Sequence, residues 1–207
     1  MGIRRCFAAA IAVLPVLLSL VAKAGQMEAG GLTFSDELGG FRLLSVTGVG
    51  ATADPFVVIE EVTGPEEPIL VIRGLDATFG NRAGTHHLVG FAMTKVVVNR
   101  TTDEWNLFDM ELREFIDSQS PYGDGLSFGQ ASTVGRPFRS SAFVLNHEVD
   151  EPYDSISFSQ GRVRPGETVS FDLIVSDTSP ISPILLLQHP AKVVARLTIQ
   201  APQTAQR

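Results

Sequence analysis

Short segments in which apolar and polar residues alternate are the feature that most constrains the fold of this chain. Ser155–Ser159 alternates without interruption, and Trp105–Glu114 places Phe108, Met110 and Leu112 at every second position. A period of two predicts strands with one face on a core and the other in water. No segment sustains helical periodicity for more than a turn or two, so the chain is predicted to be all-β.

The segments between the turns define the predicted strands. Gly64–Pro68 and Arg164–Glu167 have the composition of tight turns, in which Pro fixes φ and Gly permits a positive φ. Runs rich in Val, Ile, Phe and Thr between such turns indicate strands. The predicted strands are Phe41–Thr47, Phe56–Val62, Ile69–Arg73, Leu88–Asn99, Trp105–Glu114, Phe138–Leu145, Ser155–Ser159, Val169–Val175, Ile184–Gln188 and Val193–Ile199. Short, regularly spaced strands favour an immunoglobulin-like antiparallel β-sandwich.

The domain organisation follows from the distribution of these strands. We expect one continuous domain over residues 25–200 and a disordered tail over residues 201–207. The alternative uses the polar, glycine-rich connector Phe79–Gly84 as a boundary. In that alternative, residues 30–78 form an N-terminal hairpin layer and residues 86–200 form the sandwich.

The first 24 residues have the features of a cleaved signal peptide. Arg4 and Arg5 precede an apolar run of about 17 residues, and Ala22-Lys23-Ala24 supplies the small–x–small cleavage pattern. The run contains Pro15 and is shorter than the roughly 20 apolar residues of a membrane span. We therefore expect a soluble mature product, periplasmic or secreted, without a stable membrane anchor. General secretory export is favoured, and the adjacent arginines leave twin-arginine export as the alternative.

Charge and cysteine content exclude several function classes. Loss of Arg4, Arg5 and Lys23 with the signal leaves 13 basic against 23 acidic side chains, a net charge of −10. Such a chain repels nucleic acid and anionic membrane surfaces. Cys6, inside the signal, is the only cysteine. The mature chain is therefore without disulfides, thiol catalysis and thiolate metal sites, which suits a bacterial exported protein.

One region resembles a known group of exported proteins. The strand ending at Val96–Thr101, the segment Trp105–Leu112, the turn Asp124–Phe128 and the pair of strands over Ile156–Val175 carry the similarity. This layout, over residues 96–175, resembles uncharacterised exported bacterial β-sandwich proteins of the PEP-CTERM-associated kind. The resemblance implies an immunoglobulin-like sandwich and an extracytoplasmic location, and it implies no catalytic residues. Ala201–Arg207 differs from those proteins because it has no sorting motif.

Two acidic, tyrosine-bearing loops form the predicted ligand-binding site. Their candidate residues are Tyr122, Asp124, Asp150, Glu151, Tyr153 and Asp154. Loops of this composition can supply the six to eight oxygen ligands of calcium, although neither loop matches an EF-hand. Tyrosine rings can also stack against sugars. The alternative is that both loops are solvated turns in which Asp accepts backbone N–H groups.

No catalytic site is predicted. The chain contains no Ser-x-x-Lys sequence, and Gly125–Gly129 has the Gly-x-Ser-x-Gly spacing without the following helical segment of a nucleophile elbow. Alternation sends Glu60 and Glu61 to opposite faces of a strand, which does not suit a shared acid/base site. His86 and His87 are adjacent and also point apart on a strand. We expect no metal and no cofactor other than the calcium considered above.

These features predict an exported, non-catalytic β-sandwich that binds an envelope or extracellular protein or a glycan. Loops on a rigid scaffold commonly carry such contacts. The first alternative is a structural, self-associating envelope or matrix subunit, which would assemble through edge strands. The second is a polysaccharide-acting enzyme with acid/base carboxylates contributed by distant strands. The sequence leaves the oligomeric state open.

Overall fold

The computed structural model describes residues 25–129, 138–149 and 154–193 of the 207-residue chain. Within these ranges the chain is nearly all β and forms two sheets. The only helical element there is a 3-10 helix at Tyr122–Asp124. The strands, in chain order, are β1 (Gln26–Ala29), β2 (Leu32–Ser35), β3 (Phe41–Thr47), β4 (Phe56–Val62), β5 (Ile69–Arg73), β6 (Val89–Asn99), β7 (Leu107–Arg113), β8 (Leu126–Ser127), β9 (Arg139–Ser140), β10 (Phe143–Val149), β11 (Ser155–Gly161), β12 (Thr168–Asp177) and β13 (Ile184–Ala191).

Antiparallel pairing dominates both sheets. The first sheet has the order β1-β2-β5-β13-β7-β11-β10, and the second has the order β3-β4-β6-β12-β8, with β9 also paired to β12. The pairing of β4 with β6 is parallel, and it joins Val58 to Lys95 and Val62 to Asn99 in register. Both sheets combine strands from before and after residue 80, so the two halves of the chain share one sandwich.

The core lies between the two sheets and is built by the alternation seen in the sequence. Phe108, Met110 and Leu112 on β7 are completely buried, as predicted. Phe171 on β12 meets this layer from the second sheet, with its ring centroid 4.6 Å from that of Phe108 and 4.8 Å from that of Phe158. Such pairs add roughly 0.5–1.5 kcal/mol each beyond the area they bury. A continuous aromatic layer therefore joins the two sheets.

Three predicted strands, β3, β4 and β5, have the predicted bounds. The predicted strand Phe138–Leu145 is wrong as a single element, because the chain leaves the second sheet after β9 and enters the first sheet at β10. β1 and β2, joined at Gly30-Gly31 with φ of 55° and 91°, were not predicted. Most of the predicted strand Val193–Ile199 lies outside the described residues, as does the predicted tail.

The two ends of β6 define the two ends of the sandwich. Val89, at its start, pairs with Asp177, and Val98, near its close, pairs with Thr168. At about 3.3 Å per residue the eleven residues of β6 span roughly 35 Å. We call the end at Asp177 the acidic end and the end at Asn99 the cleft end. Among the described residues, no helix has the length and apolar character needed to cross a membrane.

Candidate functional site

Asp124 is held at the acidic end by a compact set of hydrogen bonds. It closes the 3-10 helix, and Gly125 follows with a φ of 86°. One carboxylate oxygen accepts the Leu126 N–H at 3.0 Å, and the other accepts the Ser120 hydroxyl. The Asp124 carbonyl accepts the Ser179 hydroxyl at 2.6 Å. Asp124 therefore stabilises its own turn, as the solvated-turn alternative expects.

Two further carboxyl groups lie near Asp124. Burial raises the pKa of Glu114 to about 7, and the negative charges of Asp124 and Asp177 add to the effect. Burial likewise raises the pKa of Asp177 to about 6, against the hydrogen bond from the Ser179 N–H. One oxygen of Asp177 is buried without a hydrogen-bond partner. At neutral pH this cluster therefore carries less negative charge than three free carboxylates would.

Asp154, from the second predicted loop, lies at the same end of the sandwich. Asp154 precedes β11 and is buried, and its carbonyl accepts the Leu112 N–H at 2.9 Å near the end of β7. Tyr122 begins the 3-10 helix. The structure thus places Asp154 and Asp124 at one end, while Asp150, Glu151 and Tyr153 lie outside the described residues.

No metal centre is formed by the part of the chain that the structure describes. Within it, no three His, Cys, Asp or Glu side chains are grouped so that they could hold a metal ion. His87 instead lies 3.0 Å from the Ser176 hydroxyl, and burial lowers its pKa, which favours the neutral imidazole.

A cleft opens at the other end of the sandwich, where sequence analysis predicted no site. Its volume is about 520 Å³, within the 300–1,000 Å³ of typical ligand sites. Its walls are the β4–β5 loop, the β6–β7 loop and the last residues of β13. The lining residues are Thr63, Gly64, Pro65, Glu66, Glu67, Pro68, Arg100, Thr101, Thr102, Asp103, Trp105, Gln188, His189, Pro190 and Lys192.

Gln188 and Trp105 lie at the base of the cleft. The Gln188 side chain is completely buried beside the Glu60 carboxyl, and it makes no hydrogen bond of normal geometry among the described residues. Its backbone N–H donates to the Pro68 carbonyl at 3.0 Å and so fixes β13 to the β4–β5 loop. Trp105 is 2% exposed and packs edge-on against Phe108, so its ring belongs to the core.

The rim of the cleft carries charges of both signs. His189 lies 3.2 Å from Glu67, and Arg100 lies 3.4 Å from Glu61 just outside the cleft. Lys192 is exposed and makes no ion pair among the described residues. Because the charges largely compensate one another, the cleft lacks the single-sign field that steers a strongly charged ligand.

The β6–β7 wall of the cleft is locally rigid. Asn99 is completely buried, and its amide donates to the Asp103 carbonyl at 2.8 Å and to the Val163 carbonyl at 3.1 Å. Its side-chain oxygen accepts the Thr101 hydroxyl at 2.7 Å. These bonds fold the loop back on itself, so Thr101 and Thr102 are held in place before any ligand arrives.

Glu60 and Glu61 point to opposite sides of β4, as the alternation predicted. Glu61 faces outward and pairs with Arg42 and Arg100. Glu60 faces the core, is completely buried and pairs with the equally buried Lys95 of β6. The sequence shows two charged residues within predicted strands, but it does not show that they meet.

Comparisons of the chain with protein-family models, curated proteins and solved structures gave no match.

Proposed function

We propose that this protein is an exported, non-catalytic β-sandwich that binds a glycan of the cell envelope in the cleft between the β4–β5 and β6–β7 loops. The observation that carries the proposal is the cleft of about 520 Å³ itself, whose walls offer hydroxyl groups and side chains of both charges to an incoming hydroxyl or N-acetyl group.

The lining of the cleft supports a polar ligand of low net charge. Thr63, Thr101 and Thr102 contribute hydroxyl groups, and acidic and basic side chains are interspersed around the rim. A polyhydroxylated chain can donate to and accept from such a surface without leaving a charge unpaired. Trp105 closes one wall, although its low exposure does not provide an open stacking face.

Export is part of the proposal and rests on Met1–Ala24. A periplasmic or secreted address would bring the cleft into contact with envelope polysaccharides. We also propose that the sandwich is of the immunoglobulin-like type. It is supported by the two sheets and by the distribution of β6, β7, β11 and β12 over both of them.

The test is a thermal-shift panel on the purified mature protein. The probes are oligosaccharides of three kinds: neutral hexoses, N-acetylated amino sugars and uronic acids. A ligand at 100 times its Kd stabilises by about 2.7 kcal/mol. At about 2–4 °C per kcal/mol, this corresponds to a rise in Tm of roughly 5–10 °C.

A matched pair of variants locates the binding. Thr102→Trp fills the cleft from an exposed rim position, while Thr52→Trp makes the same change in the exposed β3–β4 loop at the acidic end. We expect Thr102→Trp to abolish the shift and Thr52→Trp to keep it. Equal shifts in both variants, or no shift with any of the three glycan classes, would contradict the proposal.

A second function, self-association, is favoured by one observation. β10 pairs only with β11 among the described strands, and Val144 on it is 77% exposed. Exposed apolar edge strands promote pairing between chains. Sedimentation velocity over a hundredfold range of concentration tests this function: a constant monomer contradicts it, and a dimer lost in Val144→Lys supports it.

A further inference from the structure

A lysine and a glutamate lie side by side in the apolar core. Glu60 lies on β4, on the same face of the strand as Val58 and Val62. Lys95 lies on β6, the parallel neighbour of β4. The side chains of Glu60 and Lys95 have no exposed surface at all. Charged residues are almost never fully buried unless they are paired.

The two functional groups are in direct contact and are poorly satisfied otherwise. The Lys95 Nζ touches a carboxylate oxygen of Glu60. Neither the nitrogen nor either oxygen makes a hydrogen bond of normal geometry with any described residue. The Phe41 ring lies 5.6 Å from the nitrogen, and Gln188 approaches the carboxyl from the opposite sheet. The contact is therefore fully buried, with Gln188 beside it and the charge of Asp36 acting on the Glu60 carboxyl.

The site favours the uncharged forms of both groups. Burial raises the pKa of Glu60 and lowers the pKa of Lys95, while the attraction between them opposes both shifts. Transfer of one proton from the ammonium to the carboxylate produces a neutral amine beside a carboxylic acid. A neutral amine is the nucleophilic form of lysine, and burial is one of the ways in which proteins produce it.

We propose that Lys95 and Glu60 become joined by an amide bond within the folded chain. The Nζ lone pair attacks the Cδ carbon of Glu60 and forms the C–N bond. The C–OH bond of the carboxylic acid then breaks, and the hydroxyl leaves as water with a proton from the nitrogen. One water is lost, and no oxidant, metal or second substrate is needed.

Two features of the site promote this condensation. Holding the reacting groups in contact replaces a bimolecular encounter, an effect that reaches effective molarities of about 10⁵–10⁸ M in well-oriented systems. The product is a neutral amide, so the core no longer has to hold either an ion pair or a free amine beside a carboxylic acid. The Gln188 side chain acts on the Glu60 carboxyl and offers an N–H donor to the new carbonyl oxygen.

The bond would link β4 to β6 in a chain that cannot form a disulfide within itself. The only cysteine is Cys6, in the predicted signal peptide. Cross-links stabilise chiefly by restricting the unfolded chain, and the effect grows with the length of the closed loop. The loop here runs from residue 60 to residue 95 and includes β5, which lies in the other sheet.

Intact mass spectrometry of the purified, denatured protein tests the proposal. The N-terminus is determined on the same sample, so the expected mass is known. We expect a mass lower than the sequence mass by one water. Trypsin should then leave residues 43–73 linked to residues 83–100, because a linked Lys95 is not cleaved.

Control variants separate this bond from other losses of water. Lys95→Met and Glu60→Gln should restore the full sequence mass, and Lys192→Met, at an exposed lysine, should keep the deficit of one water. If the core variants do not fold, the presence or absence of the linked tryptic peptides in the unaltered protein decides whether the bond forms. The full sequence mass in the folded protein would overturn the proposal. So would a deficit that persists in Lys95→Met, or a loss of ammonia with Lys95 linked to Gln188.

Discussion

The acidic end makes a quantitative prediction about pH and stability. Asp177 is completely buried, and one of its oxygens has no hydrogen-bond partner among the described residues. Burial raises its pKa from 3.8 to about 6. Between these values the folded protein binds the proton more tightly than the unfolded chain does. Asp177 therefore destabilises the fold above pH 6, and this cost disappears as the pH falls through 6 towards 4.

The size of the effect follows from the shift in pKa. About two pKa units at about 1.36 kcal/mol each give an upper limit of roughly 3 kcal/mol. Solvent beside the partly exposed Asp124 screens part of this cost, so we expect about 1–3 kcal/mol. Asp177→Asn removes the charge and keeps an oxygen for the Ser179 N–H. At pH 8 the variant should be more stable than the unaltered protein by this amount. Near pH 4 this difference in stability should disappear.

Urea unfolding of both proteins between pH 4 and pH 8 measures the difference. The test is whether this difference in the free energy of unfolding changes with pH. A constant difference would reflect only the replacement of a carboxyl group by an amide. Asp54→Asn, at an exposed loop position, is the matched control and should change stability by less than about 0.5 kcal/mol at every pH. The reasoning would be refuted if the difference in the free energy of unfolding between Asp177→Asn and the unaltered protein did not change with pH.

Two further predictions concern the core and the N-terminus. Phe171→Ala should lower the free energy of unfolding by about 3–5 kcal/mol in urea titrations, because Phe171 joins the aromatic layers of both sheets, and a loss below about 1 kcal/mol would contradict that packing. Expression in a bacterial host should yield an exported product whose N-terminal sequencing begins at Gly25. Intact Met1 on the exported protein would contradict the predicted signal.

Much of the fold was predictable because strands leave a local signature. β3, β4 and β5 are bounded by turn residues, and their apolar content marks them without any tertiary information. The hairpin of β1 and β2 was missed although Gly30-Gly31 is a turn signal, since each strand has only four residues. The break between β9 and β10 was also missed, because an apolar run does not say which sheet each half joins.

The candidate sites were less predictable because their parts are far apart in the chain. The cleft combines two loops with the end of β13. Gln188 meets Glu60 only because β13 lies opposite β4 across the core. The contact between Glu60 and Lys95 depends on the parallel register of β4 and β6, which alternation alone does not specify. The turn alternative for Asp124 could be stated from the sequence because a turn residue and its hydrogen bonds are local.

The measurement that tests the central claim most directly is an NMR titration of the isotope-labelled protein with the glycan that gives the largest thermal shift. Amide shifts report the location of binding as well as its strength. The account predicts saturable changes concentrated in residues 63–68, 100–105 and 188–192, which line the cleft. Changes concentrated instead around Asp124 and Asp154 at the acidic end would contradict the assignment of the binding site to the cleft.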